Sequence, residues 1–466
     1  MNILFSGGAR TVSGSLHVVE SANQSWFVDC GLFQGGRRDM YARNAYLPVT
    51  AKDVSAVFLT HAHVDHSGRL PRLVKQGFRG PIYATQATID LCQLLLFDSA
   101  FVLKSQTTSL NKKRERRGLP PLPDLYSGTD VEQTLRQMVP VKWNEKINPA
   151  AELEVTFLCA GHILGASSIV LKENIKGITT TIAFSGDLGR KNEWIMPNPV
   201  VPENTDVIVV ESTYGDREHR PYSYAKSDLC ANLNSTIDVG GRIVVPAFSV
   251  GRTQRMLYEL NAFIEKGAIK KVPIYLDSPL SIKASKLFLE YSREKATEIT
   301  EQIDPYKLNC CKVVSAEESR KLVKTKGPYI VITASGMCEA GRILYHLKEN
   351  LPDPSSRVIF CGFCAENTLG RQLIDKQESV KILGDYIAVN AQIDYLDTFS
   401  AHADRNGIKS WVDKQKSAST VFIVHGEEKQ SFSVAEKIEC ECKKEIIIPL
   451  QGEKFALAGK AVSSKQ

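Results

Sequence analysis

A chain of 466 residues is too long for one ordinary hydrophobic core, so two or three domains are expected. With 43% hydrophobic and 24% charged residues the composition is that of an ordinary globular protein, and a formal net charge of +6 permits a polyanionic partner without requiring one. The eleven cysteines are odd in number and form no disulfide framework, no secretory signal opens the chain and no apolar run approaches bilayer length, so a reduced, cytoplasmic protein without a membrane partner is expected.

The first sixty residues alternate short apolar runs with turns. Asn2 to Phe5, Ser15 to Glu20 and Ser25 to Asp29 read as strands separated by Gly7-Gly8 and Ala22-Asn23-Gln24. Val54 to Leu59 is a further strand, β-branched and aromatic with no breaker. It runs into His61-Ala62-His63-Val64-Asp65-His66, which packs four metal-ligand side chains into six positions and uses three of the nine histidines. Gly68 to Val74 then has helical apolar spacing, so the hexapeptide sits on a strand-to-helix loop. Positions two apart in an extended loop point the same way, so His61 and His63 can grip one ion. As the chain turns into the helix, Asp65 and His66 point elsewhere and can grip a second. Imidazoles and a carboxylate suit zinc-like ions. The types and spacing resemble the His-x-His-x-Asp-His motif of the metallo-β-lactamase superfamily, which implies a dinuclear hydrolase fold without naming a substrate.

Residues 68–140 are mostly helical, with a long amphipathic pattern from Ala87 to Lys104. The basic run Asn111 to Arg117 follows and ends at Gly118-Leu119-Pro120-Pro121; it reads as a solvated helical face or as a phosphate-attracting rim. Strands return at Val155 to Leu158, before Gly161-His162, and at Thr180 to Phe184, before Gly186-Asp187-Leu188-Gly189. Glycine lets the backbone crowd an ion. In the order of the superfamily, His162 completes the set of His61 and His63, and the two-oxygen carboxylate of Asp187 is suited to bridge both ions. Asp29, at the end of its strand, is an Asx turn cap by residue type; the resemblance instead implies a carboxylate that orients a ligand imidazole from behind.

After the apolar strand Val207 to Val210 and Glu211 the character changes. Helix from Tyr224 to Ile237, strand to Val245, helix from Thr253 to Lys266, strand to Leu276, strand Tyr329 to Ile332, helix Ile343 to Asn350 and strand Val358 to Phe360 alternate as in a parallel, doubly wound module. Cys361 and Cys364 form a lone CxxC with no second pair to complete a zinc or redox site. From about residue 380 strands resume (Val380 to Leu383, Tyr386 to Leu396), and His402 in Ser-Ala-His-Ala-Asp and His425 in Val-His-Gly-Glu again stand at strand ends. The economical reading is a first domain interrupted by the module, with a frayed tail from Lys460 to Gln466.

The order Asp29, hexapeptide, His162, Asp187, Glu211, inserted module, His402, His425 resembles the β-CASP branch of that superfamily, the nucleic-acid-processing nucleases. The resemblance implies a discontinuous metallo-β-lactamase αββα sandwich, residues 1–208 and 381–466, with an inserted parallel α/β β-CASP domain over 209–380. It implies two zinc ions, one held by His61, His63, His162 and Asp187, the other by Asp65, His66, Asp187 and His425. Asp65 and Asp187 then belong to the catalytic centre, His402 is the general acid for the leaving 3′-oxygen, and Glu211 holds it and favours its charged form. RNA-processing members carry His where His425 stands, which implies single-stranded RNA and a ribonuclease leaving 5′-phosphate and 3′-hydroxyl ends, as endonuclease or 5′-to-3′ exonuclease. RNA phosphates would meet helix N-termini at two strand-to-helix turns, through Phe248, Ser249 and Arg252 and through Ser335 and Gly336. Dimerisation is common in the resembled group, though no residue here shows a homodimer. The alternatives are a non-catalytic RNA-binding paralogue, disfavoured because every ligand is present, and a hydrolase of DNA or a thioester, disfavoured by His425 and by the inserted module.

Overall fold

The computed structural model describes residues 1–21, 24–35, 39–191, 196–294, 311–440, 443–458 and 461–465. Two compact units divide the chain. The first joins the N-terminal part, through Glu218, to the segment from His402 onward; the second is His219–Ala401 with a short piece at Gly35.

Among its described residues the first unit contains an eight-stranded and a seven-stranded sheet. Their inner faces meet in one buried cluster. Phe5, Trp26 and Phe58 come from the first sheet, and Phe157, Phe184 and Phe422 from the second. The outer face of the second sheet is covered by helices Arg405–Asp413 and Glu428–Glu439, through Ile408, Trp411, Val434 and Ile438. Helix Gln86–Glu115 packs on strands Ile82–Thr85 and Met138–Val141 of the first sheet. The result is the expected αββα layering. By length and composition helix Gln86–Glu115 is apolar enough to cross a bilayer, more so than its sequence suggested; its Leu91, Cys92, Leu95 and Leu96 are buried in the core.

Strand direction positions the site. Gln24–Val28 runs parallel to Val54–Phe58 in the first sheet, and Ile178–Phe184, Val207–Glu211 and Thr420–Val424 run parallel in the second. Leu153–Cys159 has the same sense, being antiparallel to Ser167–Ile175, which is antiparallel to Ile178–Phe184. The carboxyl ends of these strands deliver Asp29, His61, His162, Asp187, Glu211 and His425 in turn. The all-apolar run Val207–Val210 is buried throughout, as a central parallel strand requires.

The second unit is built on a six-stranded sheet whose pairs are all parallel, ordered Cys311–Val313, Ile274–Leu276, Tyr329–Thr333, Arg242–Pro246, Arg357–Phe360, Gln392–Tyr395. Helices Tyr222–Asp238 and Arg252–Glu265 cover one face, and Ile343–Asn350 and Leu369–Ile374 the other. This is the expected doubly wound module. Its limits fall at 218/219 and 401/402 instead of 208/209 and 380/381. A cut after residue 208 would split strand Val207–Glu211, which is paired on both sides within the first unit. The stretch Tyr386 to Leu396 is two strands, and the second, Gln392–Tyr395, pairs with Arg357–Phe360 and so extends the inserted sheet. Ala461–Lys465, expected to fray, pairs antiparallel with Lys454–Ala458.

Candidate metal centre

The hexapeptide is held in place by backbone. Cys30 N–H donates to His66 O at 2.7 Å, Leu32 N–H to Val64 O at 2.7 Å and Ser15 N–H to Asp65 O at 2.8 Å. Gly31 lies so close that a Cβ there would meet Asp65 O at 1.5 Å, so no other residue fits. Asp29, at φ 64°, turns its carboxylate under the loop. Its Oδ1 accepts from Thr60 N–H at 2.8 Å and from Thr60 Oγ1 at 2.9 Å, while Oδ2 lies 2.7 Å from His66 Nδ1. Only a His66 with its proton on Nδ1 satisfies that contact, and this leaves the Nε2 lone pair for an ion.

Two groups of donors result. In the first, His63 Nδ1 stands 3.1 Å from His61 Nε2 and 3.3 Å from His162 Nε2, while Asp187 Oδ2 is 3.4 Å and 3.5 Å from the same two nitrogens. In the second, His66 Nε2 is 3.2 Å from His425 Nε2 and 3.2 Å from Asp187 Oδ1, and Asp65 Oδ2 is 3.4 Å from His425 Nε2. Four ligands placed tetrahedrally at about 2.0–2.1 Å from zinc stand roughly 3.3–3.4 Å apart, so these spacings suit an ion bonded to each set. Asp187 serves both groups, one oxygen to each. Its Oδ1 is buried without a hydrogen bond, the orphan that a cation would satisfy.

Protonation agrees. Burial holds the imidazoles of His61, His63 and His162 below their usual range, His63 down to about 3, so they are neutral lone-pair donors. Asp65 and Asp187 are buried too, which opposes ionisation, but neighbouring imidazoles, His425 foremost, hold both carboxyls low and therefore ionised. His66 is the exception: burial acts against its charged form, but the carboxylates of Asp187 and Asp29 overcome it and hold its pKa above the usual range, so an ion at Nε2 would displace a proton there while Nδ1–H stays on Asp29.

Beside this cluster Glu211 is fully buried, and its oxygens lie 3.2 Å and 3.0 Å from His402 Nδ1. The far nitrogen, His402 Nε2, is 4.0 Å from Asp187 Oδ2. Ala403 N–H donates to Leu188 O at 2.7 Å, which clips the His402 segment to the Asp187 loop, and Leu188 N–H in turn donates to Glu211. Sequence reasoning missed two supporting hydroxyls. Thr60 Oγ1 is 3.0 Å from His61 Nδ1, and Thr213 Oγ1 is 3.2 Å from His425 Nδ1. Each is a threonine within two residues of an identified site residue, and that adjacency was the available signal.

These geometries meet three family models along the chain. A metallo-β-lactamase superfamily domain matches residues 18–186, a Beta-Casp domain 253–373, and a Zn-dependent metallo-hydrolase RNA specificity domain 386–449. A protein named Ribonuclease TTHA0252, from Thermus thermophilus, is 33% identical over 98% of both chains. The chain belongs to the β-CASP branch of the metallo-β-lactamase superfamily. Transcription termination factor FttA of Methanosarcina mazei is 28% identical over 93% of this chain and 68% of its own. A crystal structure of an Enterococcus faecalis protein of unknown function shares the fold at a TM-score of 0.52 with 17% identity, covering 98% of this chain and 99% of its own. Within this β-CASP protein the third model spans both His402 and His425.

The residues expected to meet RNA lie together in the second unit, but only the first turn opens a helix, Arg252–Glu265; after Ser335 and Gly336 the chain stays in turns and the next helix begins at Ile343, so no helix N-terminus stands there. Strands Arg242–Pro246, Tyr329–Thr333 and Arg357–Phe360 are adjacent and parallel, so the turns after them share the carboxyl edge of the sheet, where open α/β sheets bind ligands. Phe248 crosses Gly336 so closely that a Cβ on Gly336 would stand 2.8 Å from its ring. Gly336 therefore makes room for Phe248. Arg252 and Ser249 are buried, and Arg252 lies along Gly362. Ser335 Oγ accepts from Glu339 N–H at 3.1 Å. Among the remaining histidines, His17 is buried between Phe5 and Phe184 and stays neutral, its pKa lowered to about 4 by burial. His346 is buried against Asp277 at 2.8 Å, and His219 lies 4.0 Å from Asp397. Burial pushes the thiols of Cys361 and Cys364 up to about 12, which suits packing and not reactivity.

Proposed function

We propose that the protein is a metal-dependent ribonuclease that hydrolyses RNA phosphodiester bonds and leaves 5′-phosphate and 3′-hydroxyl ends. One observation carries this reading: Asp187 turns one oxygen to His61 and His162 and the other to His66, and a histidine buttressed by a buried glutamate stands 4.0 Å from that same carboxylate. The match of an RNA specificity domain over 386–449 supports RNA as the polymer, as does the similarity to a Thermus protein named as a ribonuclease. Two zinc ions are the proposed cofactor, one on His61, His63, His162 and Asp187, one on Asp65, His66, Asp187 and His425. When bound, such a pair lowers the pKa of a water from about 15.7 towards 7 and offsets charge on a phosphoryl oxygen.

The chain's own residues do the rest. Asp29 and Thr60 fix the imidazole tautomers of the hexapeptide, and Thr213 does so for His425. Glu211 accepts the Nδ1 proton of His402 and directs Nε2 towards the reacting bond. His402 gives its Nε2 proton to the 3′-oxygen as the phosphorus–oxygen bond breaks, and water supplies the oxygen retained on the 5′-phosphate. The turns carrying Phe248 and Ser335 are the proposed contacts for the strand, Phe248 by stacking on a base.

The test is His402→Ala, with bound metal counted alongside activity. Loss of general-acid catalysis lowers kcat by about 10²–10⁴-fold while metal content stays at the wild-type value. Full activity at full metal content would remove His402 from the mechanism. Wild-type protein that holds its ions but cleaves no RNA would remove the reading itself.

A further inference from the structure

We propose a second RNA-binding surface on the first unit, formed by Lys112, Lys113, Arg116 and Arg117 at the far end of helix Gln86–Glu115. The inference rests on the ribonuclease reading and deepens it. The helix starts at the metal centre: Thr85 and Thr88 hydroxyls donate to Gly165 O at 2.8 Å and 3.1 Å, three residues past His162. It then runs 30 residues. At 1.5 Å per residue its last turn stands roughly 40 Å from the end beside His162.

The distal end is rigid. Asn111 donates to Leu122 O at 2.9 Å and accepts from Leu122 N–H at 2.8 Å, and Ser99 and Tyr126 hydroxyls meet at 2.7 Å, so the returning loop is pinned along the helix. Lys112 and Arg116, and likewise Lys113 and Arg117, have i,i+4 spacing, which puts like charges side by side. All four are exposed, and none makes an ion pair among the described residues. The chain does not need them as caps. Leu119 N–H donates to Arg114 O at 3.0 Å and Gly118 N–H to Glu115 O at 2.9 Å, the Schellman arrangement, with Gly118 at φ 66°. Neighbouring Arg114 is spent on Pro120 O at 2.8 Å. Four unpaired cations held near one another at an internal electrostatic cost, on a rigid end and with one carboxylate (Glu115) among them, suit a polyanion. The centre at the other end of the same helix acts on one. At one phosphate per 3.4 Å the separation corresponds to roughly a dozen nucleotides, fewer if the strand is stretched, so the surface holds only RNA that extends well beyond the scissile bond.

The experiment compares wild type with a variant carrying Lys112→Gln, Lys113→Gln, Arg116→Gln and Arg117→Gln, changes that keep helix formers in the helix. Binding and cleavage of uridine homopolymers of about 4 and about 40 nucleotides are measured across a salt series. The variant is expected to bind the long RNA tenfold or more weakly at low salt, with the slope of log affinity against log salt reduced by about 3, four contacts at roughly 0.7 each. Its kcat/KM on the short RNA stays within about twofold of wild type, because a strand that short cannot span the helix. Lys112→Arg with Lys113→Arg keeps the long-RNA affinity. An equal fall on both lengths, an unchanged salt slope, or no effect on either overturns the proposal. Wild type that binds long RNA with this slope yet cleaves neither length sinks the ribonuclease reading and leaves the surface standing.

Discussion

Asp29 shows how a single carboxylate can set the chemistry of a residue it does not touch in sequence. Thr60 N–H donates to Oδ1 alone while its hydroxyl lies between the two oxygens, so the backbone contact fixes which oxygen is left for His66. In Asp29→Asn the amide oxygen stays with Thr60, and the NH2 group faces His66 Nδ1. Asparagine tolerates the positive φ of 64°, so the backbone is kept. His66 must then accept at Nδ1 and carry its proton on Nε2, where an ion would bind. The expected outcome is about 10–100-fold weaker binding at the second metal group, with little change in stability. Competition against a chromogenic chelator measures it, and an unaltered affinity would reduce Asp29 to a turn cap.

At the scale of elements, what could be read in the sequence was what is local. The hexapeptide, Gly161-His162 and Gly186-Asp187 each carry strand, breaker and ligand within a few residues, and the fold brings those ligands together. The support for them was less legible: only the resemblance pointed to Asp29, and nothing local named His66 as its partner or Thr213 as that of His425, because both contacts are closed by pairing between distant strands. The same holds for Gln392–Tyr395, whose side-chain pattern does not say which sheet it joins; only its parallel register with Arg357–Phe360 does. A further unread network ties the inserted sheet to its helices. Asp277, buried after strand Ile274–Leu276, accepts from Arg342 at 2.5 Å, Ser319 at 2.6 Å and His346 at 2.8 Å. Burial raises its pKa, but these hydrogen bonds prevail and hold the carboxyl below its ordinary value. A depressed carboxylate stabilises the fold above the unfolded pKa of about 3.9, and that contribution is lost as pH falls through the folded value. Asp277→Asn is therefore expected to cost about 3 kcal/mol at neutral pH, and the gap to wild type narrows as the pH drops below about 4. Urea unfolding at a series of pH values gives both numbers; a gap that stays constant into acid would mean that packing, not ionisation, holds Asp277.

Over the whole molecule, the metal groups are also a statement about folding. His61 to His66, His162, Asp187 and His425 span most of the sequence of the first unit and lie on both of its sheets, so the complete donor set exists only once both sheets have formed and met. Ions that bind this assembled set and not the unfolded chain stabilise it by mass action, by about 2.7 kcal/mol at a free concentration one hundred times Kd. The melting temperature of the intact chain should accordingly rise with the logarithm of free zinc and fall on chelation. Asp187→Ala removes the carboxylate common to both groups, so its melting temperature should be nearly independent of zinc. Lys112→Gln, on the same unit but outside the donor set, should track wild type. If Asp187→Ala responded to zinc as wild type does, the stabilising ions would be bound elsewhere, and the shared-carboxylate arrangement would be a feature of the apoprotein alone.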